Sequence, residues 1–141
     1  MKQHREIKFR AWHTPTKRWI TDFKIDPIGN LLIGQGVGAE WKYIAGVDYI
    51  LMQFTGRQGR NKKNLYEGDI VKFNNYTEHG NKGKHIGVIY WDSSESCFAI
   101  YSDGNEVGLG TKKGLWLSWA TNLELLGNVL ENPGLLNEEE E

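Results

Sequence analysis

The chain has 141 residues, about the length of one domain and at most of two small ones. Hydrophobic residues make up 39% of it and the formal net charge is -1, which excludes an intrinsically disordered chain. No apolar run approaches the roughly 18 residues that span a bilayer, and residues 2–6 are polar or charged with no apolar stretch behind them. We therefore expect neither a membrane segment nor a secretory signal. The single cysteine, Cys97, excludes an internal disulfide framework, so we expect a cytoplasmic protein.

Charge is distributed unevenly along the chain. Residues 1–64 contain 12 Lys/Arg and 5 Asp/Glu, whereas residues 65–141 contain 5 and 13. This asymmetry is typical of head-to-tail association or of an anionic partner. The alternative is an ordinary solvated surface, with residues 137–141 as an acidic, disordered tail.

Glycine content indicates the fold class. There are 17 glycines, spread along the whole chain. Each glycine in a helix interior costs about 0.5–1 kcal/mol relative to alanine, so short strands separated by turns are favoured over long helices. We therefore predict an all-β protein.

The residue pattern predicts four strands in the first part of the chain, the first two from alternation of apolar and polar residues. They are residues 7–12, 19–25, 31–33 and 49–54. Residues 14–17 include Pro15 and form a turn, which makes the first two strands a hairpin. The fourth strand is expected to end at Thr55 and Gly56.

The same pattern predicts three further strands, over residues 69–73, 88–91 and 98–101. The last two flank the polar residues 92–96 and form a second hairpin. Residues 115–126 fit both a helical and a strand period. We favour a strand over 123–129, because Gly127 would break a helix there.

The domain boundary is expected at a polar loop. We predict an N-terminal antiparallel β module over residues 1–56, a basic connecting loop over 57–64 and a C-terminal β module over 65–136. The tail then comprises residues 137–141.

Three segments, in a fixed order, carry a resemblance to a known family. They are residues 5–12 (REIKFRAW), 51–56 (LMQFTG) followed by 65–71 (LYEGDIV), and 126–133 (LGNVLENP). Together they resemble the YopX family of phage and prophage proteins. The resemblance implies that residues 65–136 form a small β-barrel similar to the Src-homology-3-like type, in a protein of the bacterial cytoplasm. It implies no established activity and therefore no catalytic residue.

The chain departs from the family pattern in two places. The family tends to have an acidic residue where this chain has His13, and an Asp-x-Asn-Gly turn where it has residues 59–62. Lys62 stands where glycine would suit that turn, so we expect Lys62 to have a positive φ. The loop is also more basic than the family pattern.

Several motifs are better explained by structure than by chemistry. Residues 34–39 match a dinucleotide fingerprint, but residues 40–45 are too few for the helix that must follow, so we expect a glycine loop and no cofactor. Residues 92–97 contain nucleophile types without a positioned base, so we expect no enzyme and no catalytic residue. Neither Cys97 nor the four histidines are spaced as metal ligands, so no metal site is expected. The histidines are His4, His13, His79 and His85.

Two other motifs have open interpretations. In Glu67-Gly68-Asp69 we expect Gly68 to have a positive φ and Asp69 to accept turn N–H groups; the alternative is a catalytic carboxylate pair. Five tryptophans lie in apolar patterns, where burial in the core or in a subunit interface is favoured over stacking on bases. They are Trp12, Trp19, Trp91, Trp116 and Trp119.

The basic loop supplies the candidate site residues. Arg57, Arg60, Lys62 and Lys63 place four cations within seven residues, as candidate contacts with an anionic partner. The alternative is a solvated loop.

We therefore expect an accessory protein of phage or prophage that acts by binding rather than by catalysis. The main hypothesis is a self-associating protein-interaction module, a homo-oligomer that acts on an unknown phage or host protein. Sheet edges must be covered, and the apolar segment 115–119 calls for a partner surface. The second hypothesis is a weak, sequence-tolerant nucleic-acid-binding protein that uses the basic loop.

Overall fold

The computed structural model describes residues 5–34, 38, 40–75, 84–102 and 114–136. Within these ranges the protein is all-β, as predicted, and its strands pair antiparallel. The strands are β1 (Phe9–His13), β2 (Arg18–Ile20), β3 (Phe23–Ile25), β4 (Leu31–Ile33), β5 (Lys42–Tyr43), β6 (Tyr49–Gln58), β7 (Asn64–Tyr66), β8 (Asp69–Asn75), β9 (Lys84–Asp92), β10 (Cys97–Tyr101), β11 (Leu115–Trp116) and β12 (Ala120–Asn128). Short 3-10 turns lie at Gly46–Asp48, Arg60–Lys62, Leu117–Trp119 and Pro133–Leu136.

The chain forms two compact units. One comprises Ile7–Gln53; the other comprises Met1–Glu6 and Phe54–Glu141. Strand β6 contributes to both, since its first half pairs with β1 and its second half pairs with β7. The expected end of β6 at Thr55 and Gly56 is wrong. Gly56, with a φ of 87°, instead lies within an irregularity of the β6–β7 pairing, and the strand continues to Gln58.

The unit Ile7–Gln53 is built on the predicted first hairpin. Trp12 pairs directly with Trp19 across β1 and β2, and the two rings meet edge to face at 4.9 Å. The single strand predicted over residues 19–25 is wrong, because the chain leaves β2 after Ile20 and enters a separate sheet, of order β3-β4-β5. At this crossing the carbonyl of Asp22 accepts the N–H of Gly34 at 3.2 Å.

The second unit contains a five-stranded antiparallel sheet of order β11-β10-β9-β8-β12, which curls as a half-barrel. Its predicted hairpin, β9–β10, is confirmed. Apolar side chains from one face of the sheet, from β7 and from the turn before β12 form the core. The members of this core are Leu65, Val71, Phe73, Ile89, Ile100, Leu115, Leu117, Ala120 and Leu123.

Residues 115–126 are neither one helix nor one strand. They form β11, the 3-10 turn Leu117–Trp119 and β12, which begins three residues before the predicted start at 123. The pairing of β12 with β8 shifts register between Thr121 and Glu124. The two core residues of β12, Ala120 and Leu123, are therefore three positions apart, a spacing that also suits a helix.

The Glu67-Gly68-Asp69 turn has the predicted structural role. Gly68 has a φ of 83°, and the buried carboxylate of Asp69 accepts the Tyr66 N–H at 2.8 Å. The Gly68 N–H donates to the Ile89 carbonyl at 2.8 Å, and the Gly68 carbonyl accepts the Val129 N–H at 2.9 Å. The turn thus joins the start of β8 to β9 and to the end of β12.

Candidate interaction surface

A pair of exposed indoles precedes β12. Trp116 and Trp119 are 41% and 37% exposed, and their rings meet at 5.4 Å with an interplanar angle of 60°. Leu115 and Leu117 lie on the opposite side and are buried in the core. The buried leucines fix the backbone, so the two indoles are presented to solvent in a defined geometry. We call Trp116 and Trp119 the aromatic pair.

Arg57 binds the backbone of the segment that contains the aromatic pair. Its guanidinium donates to the carbonyls of Leu117 and of Ala120, the latter at 2.7 Å. These two residues lie on either side of Trp119 in the sequence. Partial burial lowers the pKa of Arg57 from its ordinary value, yet arginine remains charged in proteins, so both hydrogen bonds are charge-assisted.

The other three candidate cations lie on a tight turn that follows β6. Arg60, Lys62 and Lys63 are exposed, and the turn is closed by the Gly59 N–H, which donates to the Lys63 carbonyl at 2.8 Å. Asn61 and Lys62 have φ values of 62° and 58°, which confirms the positive φ expected at Lys62. We call Arg60, Lys62 and Lys63 the basic turn.

Gly59 packs the basic turn against β12. A Cβ at this position would lie 2.9 Å from the carbonyl oxygen of Leu123, closer than side-chain carbons approach backbone atoms. Arg57 and Gly59 therefore both attach this segment to the region from Leu117 to Leu123. The basic turn is therefore attached to the segment that follows Trp116, within the same unit.

The structure separates the four candidate cations into two kinds. Arg57 is engaged by backbone carbonyls, whereas the three residues of the basic turn extend into solvent. Sequence reasoning missed the contact of Arg57 with Leu117 and Ala120. No local sequence signal marks this contact, because it joins residues about 60 positions apart in the chain.

The hairpin tip at residues 92–96 is a capped turn. The Asp92 carboxylate accepts the Ser94 N–H at 3.0 Å and the Ser94 hydroxyl at 2.6 Å. Burial, with the nearby charges of Asp92 and Glu95, raises the pKa of the Cys97 thiol. Cys97 therefore lacks the electropositive surroundings that activate a thiolate.

The remaining sequence motifs are placed as follows. No group of three or more His, Cys, Asp or Glu side chains that could hold a metal occurs among the described residues. His13 contacts the hydroxyl of Thr16 at 2.6 Å, and His85 is buried beside Phe73. Most of the glycine-rich segment 34–39 lies outside the described residues. No helix in the described parts of the chain has the length and apolarity needed to cross a membrane.

Fold and surface together define a small all-β protein built on a curled antiparallel sheet. A sequence profile of the YopX protein family matches residues 8–137. The chain belongs to the YopX family.

Solved structures with the same fold include the following two. Protein EF1440 from Enterococcus faecalis is 20% identical, with a TM-score of 0.55 over 93% of this chain and 98% of its own. Protein YopX from Bacillus subtilis is also 20% identical, with a TM-score of 0.50 over 91% of this chain and 96% of its own. No protein with a curated description matches the chain significantly.

Proposed function

We propose that this YopX-family protein acts by binding, and that it self-associates through the aromatic pair. The observation that carries the proposal is the exposure of Trp116 and Trp119 on a backbone fixed by Arg57 and by two core leucines. Tryptophan is enriched in the desolvated centre of protein interfaces, where a preformed position reduces the entropy lost on binding. The partner is a second copy of this chain.

The adjoining sheet edge supports a two-fold arrangement. Strand β11 is an edge strand that pairs only with Ala99 and Ile100 of β10 among the described residues. Trp116 lies on this edge strand, so an edge-to-edge approach of two copies would bring both aromatic pairs together. Antiparallel pairing of identical edges is self-complementary and closes as a dimer.

In this proposal the assembled protein is a phage or prophage accessory factor in the bacterial cytoplasm, and the dimer then engages a phage or host protein. The support is the family to which residues 8–137 belong.

Sedimentation velocity at tens of micromolar tests self-association. We expect the native chain to sediment as a dimer or larger species and the double variant Trp116→Ser/Trp119→Ser to sediment as a monomer. Trp91→Ser is the matched control, because Trp91 is 47% exposed but packs on Phe98 rather than on the aromatic pair. A monomeric native protein, or a double variant that associates as the native protein does, would overturn the proposal.

A second function is favoured by the basic turn. Three exposed cations on a fixed turn can contact phosphates of a nucleic acid without reading its sequence. With at most three phosphates per subunit, each contributing roughly -0.9 to the slope of log K against log salt on duplex DNA, binding would be weak and lost steeply with salt.

Fluorescence anisotropy with labelled single- and double-stranded oligonucleotides tests this second function. We expect binding at low salt that is abolished by Arg60→Glu/Lys63→Glu. The monomeric Trp116→Ser/Trp119→Ser variant separates the two functions, because it retains the basic turn. Absence of binding by the native protein at low salt would exclude nucleic acid.

A further inference from the structure

The unit Ile7–Gln53 contains an open cleft that neither proposed function uses. Its volume is about 340 Å³, and it lies between the β1–β2 hairpin and the sheet of β3, β4 and β5. Small-ligand sites occupy roughly 300–1,000 Å³, so this cleft is sized for a molecule at the small end of that range.

The apolar part of the cleft is aliphatic. Ile20 from β2, Ile33 from β4 and Ile44, just after β5, all line it, and each is half-buried. Three branched side chains from three segments form a surface that suits one short hydrocarbon group.

The polar part of the cleft carries opposite charges. Arg18 and Asp22 both line it, and neither has an ion-pair partner among the described residues. Arg18 is paired in register with His13, whose Nδ1 lies 2.6 Å from the hydroxyl of Thr16. That contact orients the imidazole, and His13 also lines the cleft.

Gly34 makes room for the acidic group. A Cβ at Gly34 would lie 2.5 Å from Oδ2 of Asp22 and 3.1 Å from the ring of Trp41. The carboxylate of Asp22 thus lies in the space that any side chain at position 34 would take. The Gly34 N–H in turn donates to the Asp22 carbonyl at 3.2 Å, which fixes the backbone of Asp22 at the cleft.

We propose that this cleft binds a free α-amino acid with an aliphatic side chain. The ligand carboxylate is bound by the guanidinium of Arg18, which can donate two parallel hydrogen bonds. The ligand ammonium is bound by the carboxylate of Asp22, and the side chain lies against the three isoleucines. A molecule with all three groups contacts the cationic, anionic and aliphatic parts of the cleft at once.

Titration of the isotopically labelled full chain with L-leucine, followed by NMR, tests the proposal. We expect saturable shifts at Arg18, Asp22 and the three isoleucine methyl groups. Three comparison ligands each lack one group: 4-methylpentanoate lacks the ammonium, isoamylamine lacks the carboxylate, and glycine lacks the side chain. Each should bind at least tenfold more weakly than L-leucine.

Variants assign the two ends of the ligand. Arg18→Gln should weaken binding of L-leucine at least tenfold but leave isoamylamine unaffected, and Asp22→Asn should weaken L-leucine while leaving 4-methylpentanoate unaffected. Both side chains are exposed, so both variants are expected to fold, as circular dichroism would verify. Lys17→Gln is the control, since Lys17 is an exposed neighbour that does not line the cleft.

Any of three results would overturn the proposal. The first is the absence of shifts around the cleft at millimolar L-leucine. The second is equal binding of L-leucine and glycine, and the third is equal binding of L-leucine to the native chain and to Asp22→Asn. The monomeric Trp116→Ser/Trp119→Ser variant should bind L-leucine normally, so failure of self-association and failure of this inference are distinguishable.

Discussion

Lys62 has a left-handed backbone conformation in the basic turn, with a φ of 58°. For a residue with a Cβ this conformation costs on the order of 1 kcal/mol, a cost that glycine avoids. We expect Lys62→Gly to raise the free energy of unfolding by up to about 1 kcal/mol. Urea denaturation measures the change.

Lys63→Gly is the matched control for that substitution. Lys63 has a φ of -82°, so glycine there relieves no strain and only adds freedom to the unfolded chain. It should lower the free energy of unfolding by about 0.5–1 kcal/mol. A urea denaturation midpoint for Lys62→Gly at or below that of the native protein would contradict the expected backbone strain at Lys62.

Asp26 is a second residue with a local role. Its carboxylate accepts the N–H of Asn30 at 2.8 Å, the N–H of Ile28 at 3.1 Å and the hydroxyl of Tyr43 at 3.2 Å. The Asn30 N–H contributes most, and together these hydrogen bonds hold the pKa of Asp26 below its ordinary value of 3.8, while the carboxylate raises the pKa of Tyr43.

The pH dependence of this turn follows from the lowered pKa of Asp26. The stabilisation is fully present above the unfolded pKa of 3.8 and is lost as pH falls through the lower folded pKa. An NMR titration of the Asp26 carboxyl should give a midpoint below 3.8, and Tyr43→Phe should move it upward. A midpoint unchanged by Tyr43→Phe would show that the phenol contributes nothing.

Residue roles were predictable where a local motif encodes them. The positive φ of Lys62 followed from the resemblance, because the family has glycine at this position of the turn, and the hydrogen bond of Asp69 followed from the Glu-Gly-Asp sequence. The contact of Arg57 with Leu117 and Ala120 could not be predicted, because it joins residues about 60 positions apart. The cleft was missed for a different reason: Asp22 was assigned to the interior of a single strand over 19–25, and the change of sheet that forms the cleft was not predicted.

At the scale of elements, Arg57 links the end of β6 to the start of β12. Arg57→Ala would leave the carbonyls of Leu117 and Ala120 without their charged donor. We expect it to lower the free energy of unfolding by about 1.5–3 kcal/mol. Arg57→Lys should recover only part of the lost free energy of unfolding, because an ammonium cannot reproduce the planar guanidinium that donates to both carbonyls.

Arg60→Ala is the matched control at the element scale. Arg60 is exposed on the basic turn, so its removal should change the free energy of unfolding by no more than about 0.5 kcal/mol. Chemical denaturation of both variants measures the two changes in the free energy of unfolding. An Arg57→Ala variant as stable as Arg60→Ala would show that the guanidinium contributes little to the attachment.

Strand positions were predicted best for β4 and β10, which are short apolar runs bounded by polar or turn residues. The predictions failed at two irregular places. The strand expected over 19–25 changes sheet after Ile20, and β12 contains register shifts that break its alternation. The change of sheet after Ile20 and the first register shift of β12, between Thr121 and Glu124, are marked by no glycine or proline, and only the second shift lies at a glycine, Gly127. Hydrophobic periodicity alone therefore could not locate these irregularities.

For the whole molecule, composition and glycine content were sufficient to predict the all-β class. The uneven charge along the chain leaves two modes of self-association to separate by experiment. Contact through the aromatic pair buries apolar surface and should be maintained or strengthened by salt. Head-to-tail pairing of the basic residues 1–64 with the acidic residues 65–141 would instead weaken as salt screens the charges.

Sedimentation equilibrium at about 50 mM and about 500 mM salt distinguishes these modes, since screening shortens from beyond 10 Å to a few ångströms over that range. We expect the association constant to stay the same or to increase at the higher salt concentration. A fall of tenfold or more would identify the charged halves, rather than the aromatic pair, as the source of association.

The pairing of β12 with β8 also has a consequence for how the protein forms during synthesis. Strands β8, β9 and β10 are successive neighbours, but β12 must return to β8, with Asn128 opposite Asp69. Four core residues, Leu115, Leu117, Ala120 and Leu123, are synthesised only after β10. On the ribosome, strands β8, β9 and β10 are therefore synthesised before β12, and their apolar face is exposed until β12 emerges. We expect a chaperone to bind the nascent chain mainly during that interval.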